Sequence, residues 1–137
     1  MRLELKPSTE MTLRALRALA DGHRWTAADL AEPAGTTRAN AAHLIAPLAR
    51  AGWVRSSPGP TGGHELAVDL RRVSLLELIE TVEGPTENGR CVMSHRGCAP
   101  AQPCALHDVW TRARTALTRE LAETPLSTII DEAEVIR

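Results

Sequence analysis

The stretch TTRANAAHLIAPLARAGWVRSSPGPTGGHELAV, residues 36–68, decides the fold of this chain. Its first half predicts a helix over residues 38–51, because Thr37 can cap the start, apolar side chains recur on one face, and Gly52 can end it. Its second half predicts two short strands joined by a turn rich in Gly and Pro over residues 57–63. A β-hairpin directly after such a helix is typical of the wing of a winged helix-turn-helix domain.

Two helices are predicted upstream of this stretch. Residues 26–29, Thr-Ala-Ala-Asp, form a capping box that opens a short helix through Ala31, and Pro33 and Gly35 are expected to end it. A first helix is expected over residues 8–21, because a proline precedes it, a glycine follows it, and its apolar residues share one side. Three helices and a hairpin predict a mostly α-helical fold with a small β-hairpin wing.

The third helix carries the residues expected to read DNA. In a winged domain this helix enters the major groove, and its solvent-facing candidates for contacts to bases are Arg38, Asn40 and His43. Arg50 and Arg55 are better suited to phosphate contacts. The chain has no Phe or Tyr, so recognition of single strands by stacking is disfavoured relative to double-stranded DNA. The helix cap and the wing, where glycine permits close approach of the backbone, complete the candidate set: Thr37, Thr61, Gly62, Gly63 and His64.

A long amphipathic helix is predicted near the end of the chain. A capping box at Ser74 and Glu77 first opens a helix that closes at Gly84, and the long helix then begins near Cys104 and reaches about Glu123. Its apolar residues recur every three or four positions: Leu106, Trp110, Ala113, Leu117 and Leu121. This narrow seam predicts packing against a second copy of the chain in a homodimer, and packing back on its own domain is the alternative.

Between these two helices lies a loop that holds every cysteine in the protein. Cys91, Cys98 and Cys104 fall within or next to residues 85–103, and His107 follows three residues after the last cysteine. The residues between them are rich in Gly, Pro, Ser and Ala, so the segment can fold back on itself. Clustered thiolates favour a soft cation: zinc, copper(I) or an iron–sulfur cluster.

The charge of the chain is distributed unevenly along its length. The formal net charge is −1, but residues 1–73 hold ten Lys or Arg against seven Asp or Glu, whereas residues 74–137 hold six against ten. A mildly basic front half suits a nucleic-acid-binding head. We therefore expect a DNA-binding domain over residues 1–84, a cysteine-rich cluster-binding loop over 85–103, and a dimerisation helix with its tail over 104–137.

Several functional classes are disfavoured by the sequence. No apolar run of membrane-spanning length and no signal-peptide pattern is present, so we expect a cytoplasmic protein without a membrane partner. No phosphate-binding loop, dinucleotide fingerprint or catalytic Ser/His/Asp arrangement is recognisable, so we expect a regulator rather than an enzyme. In a reducing compartment, an odd number of clustered cysteines indicates metal binding or redox sensing before disulfide bonding.

Two motifs resemble a known family when they are taken together. The wing sequence GPTGGHELA, residues 59–67, and the helix VSLLELIETVEG, residues 73–84, are followed at the usual distance by the three-cysteine loop. This combination resembles the bacterial winged-helix regulators that include the iron–sulfur cluster assembly regulator and the nitric-oxide-sensing repressor (IscR and NsrR types). The resemblance covers roughly residues 1–130.

The resemblance implies a function and a set of site residues. Members of this family are homodimers joined by the long C-terminal helix, and they bind palindromic promoter DNA. Their promoter affinity changes when an iron–sulfur cluster is lost, oxidised or nitrosylated, and the matching ligands here are Cys91, Cys98 and Cys104. The fourth ligand differs between branches of the family, and this sequence matches both versions: His107, or Glu10 of the partner subunit. The resemblance does not choose between a 2Fe–2S and a 4Fe–4S cluster.

Local sequence favours His107 as the fourth ligand. If the long helix begins near Cys104, then Cys104 and His107 share one face, and the helix dipole stabilises the thiolate. His95, inside the loop, is a third candidate. A structural zinc site on the same residues, or a thiol-based redox sensor without a cluster, remains the alternative function.

Three positions depart from the family pattern. His64 follows the wing glycines where an aromatic residue is common, and Asn40 stands where a tyrosine is common. Pro47 lies inside the recognition helix, which must either kink there or lose one hydrogen bond. These departures concern which DNA sequence is read. The gap between the first two cysteines is also one residue longer than in the assembly regulator. This difference bears on the type of cluster that the loop would hold.

Overall fold

The first half of the chain alternates short helices and strands, and the second half is helical. This computed structural model describes residues 3–93, 97–98 and 101–131, and in them it has six helices and two strands. The result confirms the predicted mostly α-helical winged helix-turn-helix fold. None of these helices combines the length and the apolar character needed to cross a membrane. The elements are α1 Pro7–Leu19, α2 Ala27–Ala34, α3 Arg38–Arg50, β1 Val54–Ser57, β2 Gly63–Leu66, α4 Leu75–Glu83, α5 His107–Glu123 and α6 Leu126–Asp131.

Side-chain caps fix the starts of three helices where the sequence predicts them. Thr26 with Asp29 and Ser74 with Glu77 form reciprocal capping boxes at α2 and α4. The Thr37 hydroxyl accepts a hydrogen bond from the Asn40 backbone amide, 3.2 Å away, at the start of α3. Each cap satisfies an amide that has no partner inside the helix.

The ends of the helices differ from the predictions by a few residues. The expected end of α2 at Ala31 is wrong, because the helix continues to Ala34 with Pro33 in its last turn. Gly35 then adopts a left-handed conformation, with φ 70°, and its amide bonds back into the helix. Helix α3 continues through Pro47, so it loses the one hydrogen bond that a proline cannot donate.

The wing is a two-stranded antiparallel hairpin held by an additional backbone pair. Val54 pairs with Leu66 at its base and Ser57 pairs with Gly63 near its tip. Trp25, just before α2, bridges to His64, with backbone N–O distances of 2.9 and 2.7 Å in the two directions. The hairpin is therefore fixed to the helical part and does not project as an isolated ribbon.

The hydrophobic core joins the winged head to the end of the chain. Leu126 and Ile130, both in α6, are buried in the same cluster as the leucines of α1, α2, α3 and α4. Backbone hydrogen bonds support this position, since the Leu126 amide donates to the Val73 carbonyl and the Ser127 amide to the Leu70 carbonyl. The sequence predicts only a tail after the long helix, so the place of this tail in the core is known from the structure alone.

Helix α5 forms the long outer edge of the molecule. It begins at His107, so the predicted start near Cys104 is wrong by three residues, and its end at Glu123 agrees with the prediction. It contacts α4, and its half-buried positions include Trp110 and Leu121. None of its residues is fully buried, and Val109 and Leu117 are 55% and 47% exposed. The apolar seam is thus divided, because Trp110 and Leu121 are half-buried whereas Leu117 is exposed.

Candidate DNA-binding surface and cysteine centre

The solvent-facing side of α3 carries small side chains and a few basic ones. Arg38, His43 and Arg50 are exposed along this helix, and Ala39 and Ala42 lie exposed between them. The opposite face, with Leu44, Ile45 and Leu48, is buried in the core. Arg38 and His43 can form hydrogen bonds to base edges, and the exposed alanine methyl groups beside them can contact thymine methyl groups.

Asn40 lies differently from the prediction that it faces solvent. It is half-buried, and its side-chain amide lies 2.7 Å from the Thr36 hydroxyl and 3.8 Å from the Met11 sulfur. Its position at the start of α3 turns the side chain toward α1 rather than toward the groove. Asn40 therefore helps to hold α1 against the recognition helix, and reading a base would require it to leave both contacts.

The glycines of the wing are required by packing inside the protein. A Cβ atom on Gly62 would lie 2.1 Å from the Ser57 carbonyl oxygen, and one on Gly63 would lie 2.8 Å from the Trp25 carbonyl oxygen. Gly63 also has φ 144°, which disfavours other residues. Packing alone already requires glycine at both positions. That Gly62 and Gly63 also permit close approach to DNA stays a prediction.

His64 and Arg24 support the wing from its inner side. His64 is half-buried, its Nδ1 lies 2.8 Å from the Ser56 hydroxyl, and burial lowers its pKa from the usual value. Arg24 donates to the Thr61 carbonyl at 2.8 Å and to the Glu65 carboxylate at 2.6 Å. Sequence reasoning missed Arg24, because its partners lie some 40 residues further along the chain.

The three cysteine sulfur atoms converge on one point beside α5. All three lie within 4.8 Å of one another, and Cys91 Sγ is 3.4 Å from Cys104 Sγ. Cys91 is buried, Cys98 and Cys104 are half-buried, and no disulfide joins them. The prediction that the loop folds back and gathers its thiols is confirmed for these residues. The sulfurs face a cavity of about 310 Å³ whose wall includes His107 and Trp110.

Charged groups hold the beginning of this loop in place. The Glu80 carboxylate of α4 accepts hydrogen bonds from the Thr86 amide and hydroxyl at 3.0 and 2.6 Å, and these bonds lower its pKa. Glu87 forms an ion pair of 2.8 Å with Arg114 of α5. The pKa of Glu87 is lowered by a hydrogen bond from the Gly89 amide and then by Arg114. The loop is therefore attached to both of the helices that flank it.

The thiol of Cys104 lies just before α5, beside a second thiol. Cys104 lies in the turn before α5, and its carbonyl accepts a hydrogen bond from the His107 amide. Its pKa is raised, chiefly by the neighbouring Cys91 thiol, and the Leu106 amide only partly offsets this. The neighbouring thiol thus disfavours ionisation of Cys104 in the absence of a cation, so binding of a metal to this sulfur would release a proton.

The two candidates for the fourth ligand lie in different places. His107 is exposed, begins α5 and lines the same cavity as the cysteines. Glu10 is exposed on α1 and forms an ion pair of 2.5 Å with Arg14, so a ligand role would require it to leave that partner. Neither belongs to the group of donors within 4.8 Å of one another in the described part of the chain. The third candidate, His95, lies outside the described residues.

Known transcriptional regulators share sequence with most of this chain. A protein-family model described as Rrf2, iron-dependent transcriptional regulator, matches residues 5–132. An HTH-type transcriptional regulator of Neisseria meningitidis serogroup A is 32% identical over 89 residues, which are 65% of this chain and 60% of that protein. The regulator IscR of Xenorhabdus nematophila is 28% identical over 109 residues, 80% of this chain and 66% of that protein. The chain thus spans less than two thirds of the length of either relative.

A solved structure shows the same fold over nearly the whole chain. CymR, named as the global cysteine regulator of B. subtilis, superposes with a TM-score of 0.74 and covers 96% of this chain and 99% of its own, at 22% identity. Likeness at that identity concerns the fold alone. The sequence relatives are named as transcriptional regulators, which agrees with the expectation of a regulator rather than an enzyme.

Proposed function

Because this chain belongs to the Rrf2 family of iron-dependent transcriptional regulators, we propose that it is a homodimeric, DNA-binding repressor gated by an iron–sulfur cluster. The observation that carries this proposal is the convergence of Cys91, Cys98 and Cys104 within 4.8 Å beside the winged head. The signal that the protein senses would be redox state, nitric oxide or the supply of iron–sulfur clusters.

The donor set fits a soft metal centre. Three thiols with one side open to a cavity can hold an iron–sulfur cluster, and His107 or the partner's Glu10 would complete its ligands. Such a cluster supplies iron that oxidants and nitric oxide can alter. The chain's own contribution is to hold the thiols together and to keep Cys91 buried, while the cavity gives small molecules access.

The separation of the sulfurs favours zinc as a second candidate. Two thiolates on one tetrahedral zinc lie about 3.8 Å apart, given a zinc–sulfur distance near 2.3 Å. The observed 3.4 Å between Cys91 and Cys104, with all three sulfurs inside 4.8 Å, is close to that arrangement. A four-iron cluster places each thiolate on a different iron, so it would need the loop to open. Iron and acid-labile sulfide against zinc, counted per chain, distinguish the two candidates.

The DNA interface follows from the exposed groups of α3 and the wing. Arg38 and His43 would reach base edges, and Arg50 and Arg55 would neutralise phosphates on either side, with the wing tip at Thr61 following the backbone. Two such heads in a dimer would bind a palindrome whose half-sites are about 34–36 Å apart, or a multiple of that distance.

Replacing Arg38 with alanine is expected to relax the preference for one base pair of the operator. A bidentate contact between arginine and guanine contributes about 1–3 kcal/mol of discrimination between bases. Losing the contact should reduce specificity at that one base pair of the operator. Arg50→Ala should instead weaken binding to all sequences and lower the salt slope by about one. Selection of binding sites from random duplexes, followed by salt titrations, measures both. Equal effects of the two substitutions would contradict these assignments.

The proposed function is tested by comparing two forms of the protein on one duplex. We expect protein reconstituted anaerobically with ferrous iron and sulfide to be brown and to bind its selected palindrome with an affinity different from that of the metal-free protein. A coupling of 5–150-fold is the usual size of such an effect. A colourless protein that retains only zinc, with the same affinity in both forms, would remove the gating mechanism and leave a DNA-binding protein with a structural metal.

A further inference from the structure

The first helix of the protein has no cap of its own. Lys6 precedes α1 in the capping position and its side chain makes no capping hydrogen bond. Glu83, the last residue of α4, binds this helix start instead: its Oε1 accepts from the Lys6 backbone amide at 2.8 Å and from the Thr9 hydroxyl. Thr9 is completely buried. A carboxylate at this point satisfies an amide at the start of α1 and complements the positive end of its dipole.

Glu83 also stands at the root of the cysteine loop. Helix α4 ends at Glu83 and Gly84 follows with φ 94°, after which the chain turns toward the cysteines. One turn earlier, Glu80 of the same helix holds Thr86 of the loop. The last turn of α4 therefore holds the loop with one carboxylate and the start of α1 with another.

Helix α1 in turn contacts the start of the recognition helix. Met11 lies two residues beyond Thr9, and its sulfur is 3.8 Å from the side-chain amide of Asn40. That amide also bonds Thr36, in the turn that precedes α3. A shift of the N-terminus of α1 would therefore move Met11 against Asn40 and so disturb the start of α3.

We infer that Glu83 is the positioning residue through which the state of the cysteine loop reaches the recognition helix. When the thiols are gathered on a metal centre, the loop holds the end of α4, and Glu83 fixes α1 against α3. When the loop is released, the end of α4 is less restrained and the Glu83 contact weakens, so the heads sample more orientations. This inference rests on the proposed function, and it adds the connection between its two sites.

The test uses the full chain as Glu83→Ala and Glu83→Gln, with Ser74→Ala as a matched control. The alanine variant removes the acceptor, and the glutamine variant keeps an oxygen that can still accept from Lys6. Ser74→Ala removes a cap of the same helix and leaves the contact with α1 intact. Each protein is measured metal-free and after anaerobic loading with ferrous iron and sulfide, and only preparations with equal iron and sulfide per chain are compared.

Two quantities are followed: amide hydrogen exchange over residues 6–9, and the ratio of operator affinities of the loaded and metal-free forms. In the native protein, loading should slow exchange at the Lys6 amide and give a ratio well away from one. In Glu83→Ala both differences should disappear, with the affinity ratio within about two-fold of one. Glu83→Gln should restore part of each, and Ser74→Ala should retain both.

Three outcomes would decide against the inference or against the proposed function. If Glu83→Ala retains the full affinity ratio, Glu83 carries no signal and the inference is overturned. If loading does not change exchange at Lys6 in the native protein, the inference is overturned whatever happens on DNA. If loading slows exchange at Lys6 but leaves the operator affinity unchanged, the link through Glu83 stands and the gating in the proposed function fails.

Discussion

Replacement of Cys98 by serine is expected to abolish the binding of iron and sulfide by the reconstituted protein. Cys98 is one of the three proposed sulfur ligands, and a neutral hydroxyl is a far weaker donor to a soft metal than a thiolate. The chain has no fourth cysteine that could replace it. We expect the variant to be colourless, and we expect the difference in operator affinity between loaded and mock-loaded protein to disappear. Iron, sulfide and the visible spectrum measure the first effect.

The matched control for this experiment is Thr111→Ala. Thr111 lines the same cavity without offering a soft ligand, so its loss should leave the iron content and colour intact. His107→Ala and Glu10→Ala, measured beside it, identify the fourth ligand, because the true ligand should lower cluster retention and the other should not. A Cys98→Ser protein that stays brown with full iron would contradict the assignment of the site. Binding to DNA should survive in its metal-free form, since α3 and the wing lie outside the loop.

Introducing a charge at Leu117 is expected to separate the dimer. In the isolated chain Leu117 is 47% exposed on α5, so Leu117→Glu should change the stability of the monomer by less than about 0.5 kcal/mol. In the proposed two-fold interface the same change places one carboxylate from each subunit in an apolar seam, where unpaired charge is strongly unfavourable. We expect a monomer in analytical ultracentrifugation at concentrations where the native protein is a dimer.

The loss of the dimer should also remove most of the affinity for a palindrome. Linking two heads makes the second contact intramolecular, which contributes on the order of 10²–10⁴-fold in affinity. Leu117→Glu should therefore bind the full operator about as weakly as a single half-site. Thr115→Glu adds the same charge on another exposed side of α5 and should leave both assembly and affinity unchanged. If Leu117→Glu remains a dimer with native affinity, another surface joins the subunits.

The parts of the fold that depend on neighbouring residues could be predicted from the sequence. Capping boxes at Thr26 and Ser74 act over three residues, and the wing is marked by its glycines and alternating strands. The convergence of the thiols was also predictable, because every cysteine lies in one loop. These features need no knowledge of contacts between distant segments.

The parts that depend on distant contacts could not be predicted in the same way. Asn40 reads as a surface residue of an amphipathic helix, and only the approach of Met11 and Thr36 shows why it turns inward. Glu83 reads as an ordinary charge at the end of a helix, but its partners lie 74 and 77 residues earlier. The start of α5 depends on the path of the loop before it, which composition alone does not specify.

The burial of α6 in the head has a consequence for how this protein is made. Leu126 is completely buried in a cluster that also contains residues of α1, more than 100 positions earlier in the chain. During synthesis we therefore expect the head to complete its core only when almost the whole described chain has left the ribosome. Incomplete chains would lack this part of the core and present an unfinished head to DNA. We therefore expect the cysteine loop, which is synthesised before α6, to be complete by the time the core of the head closes.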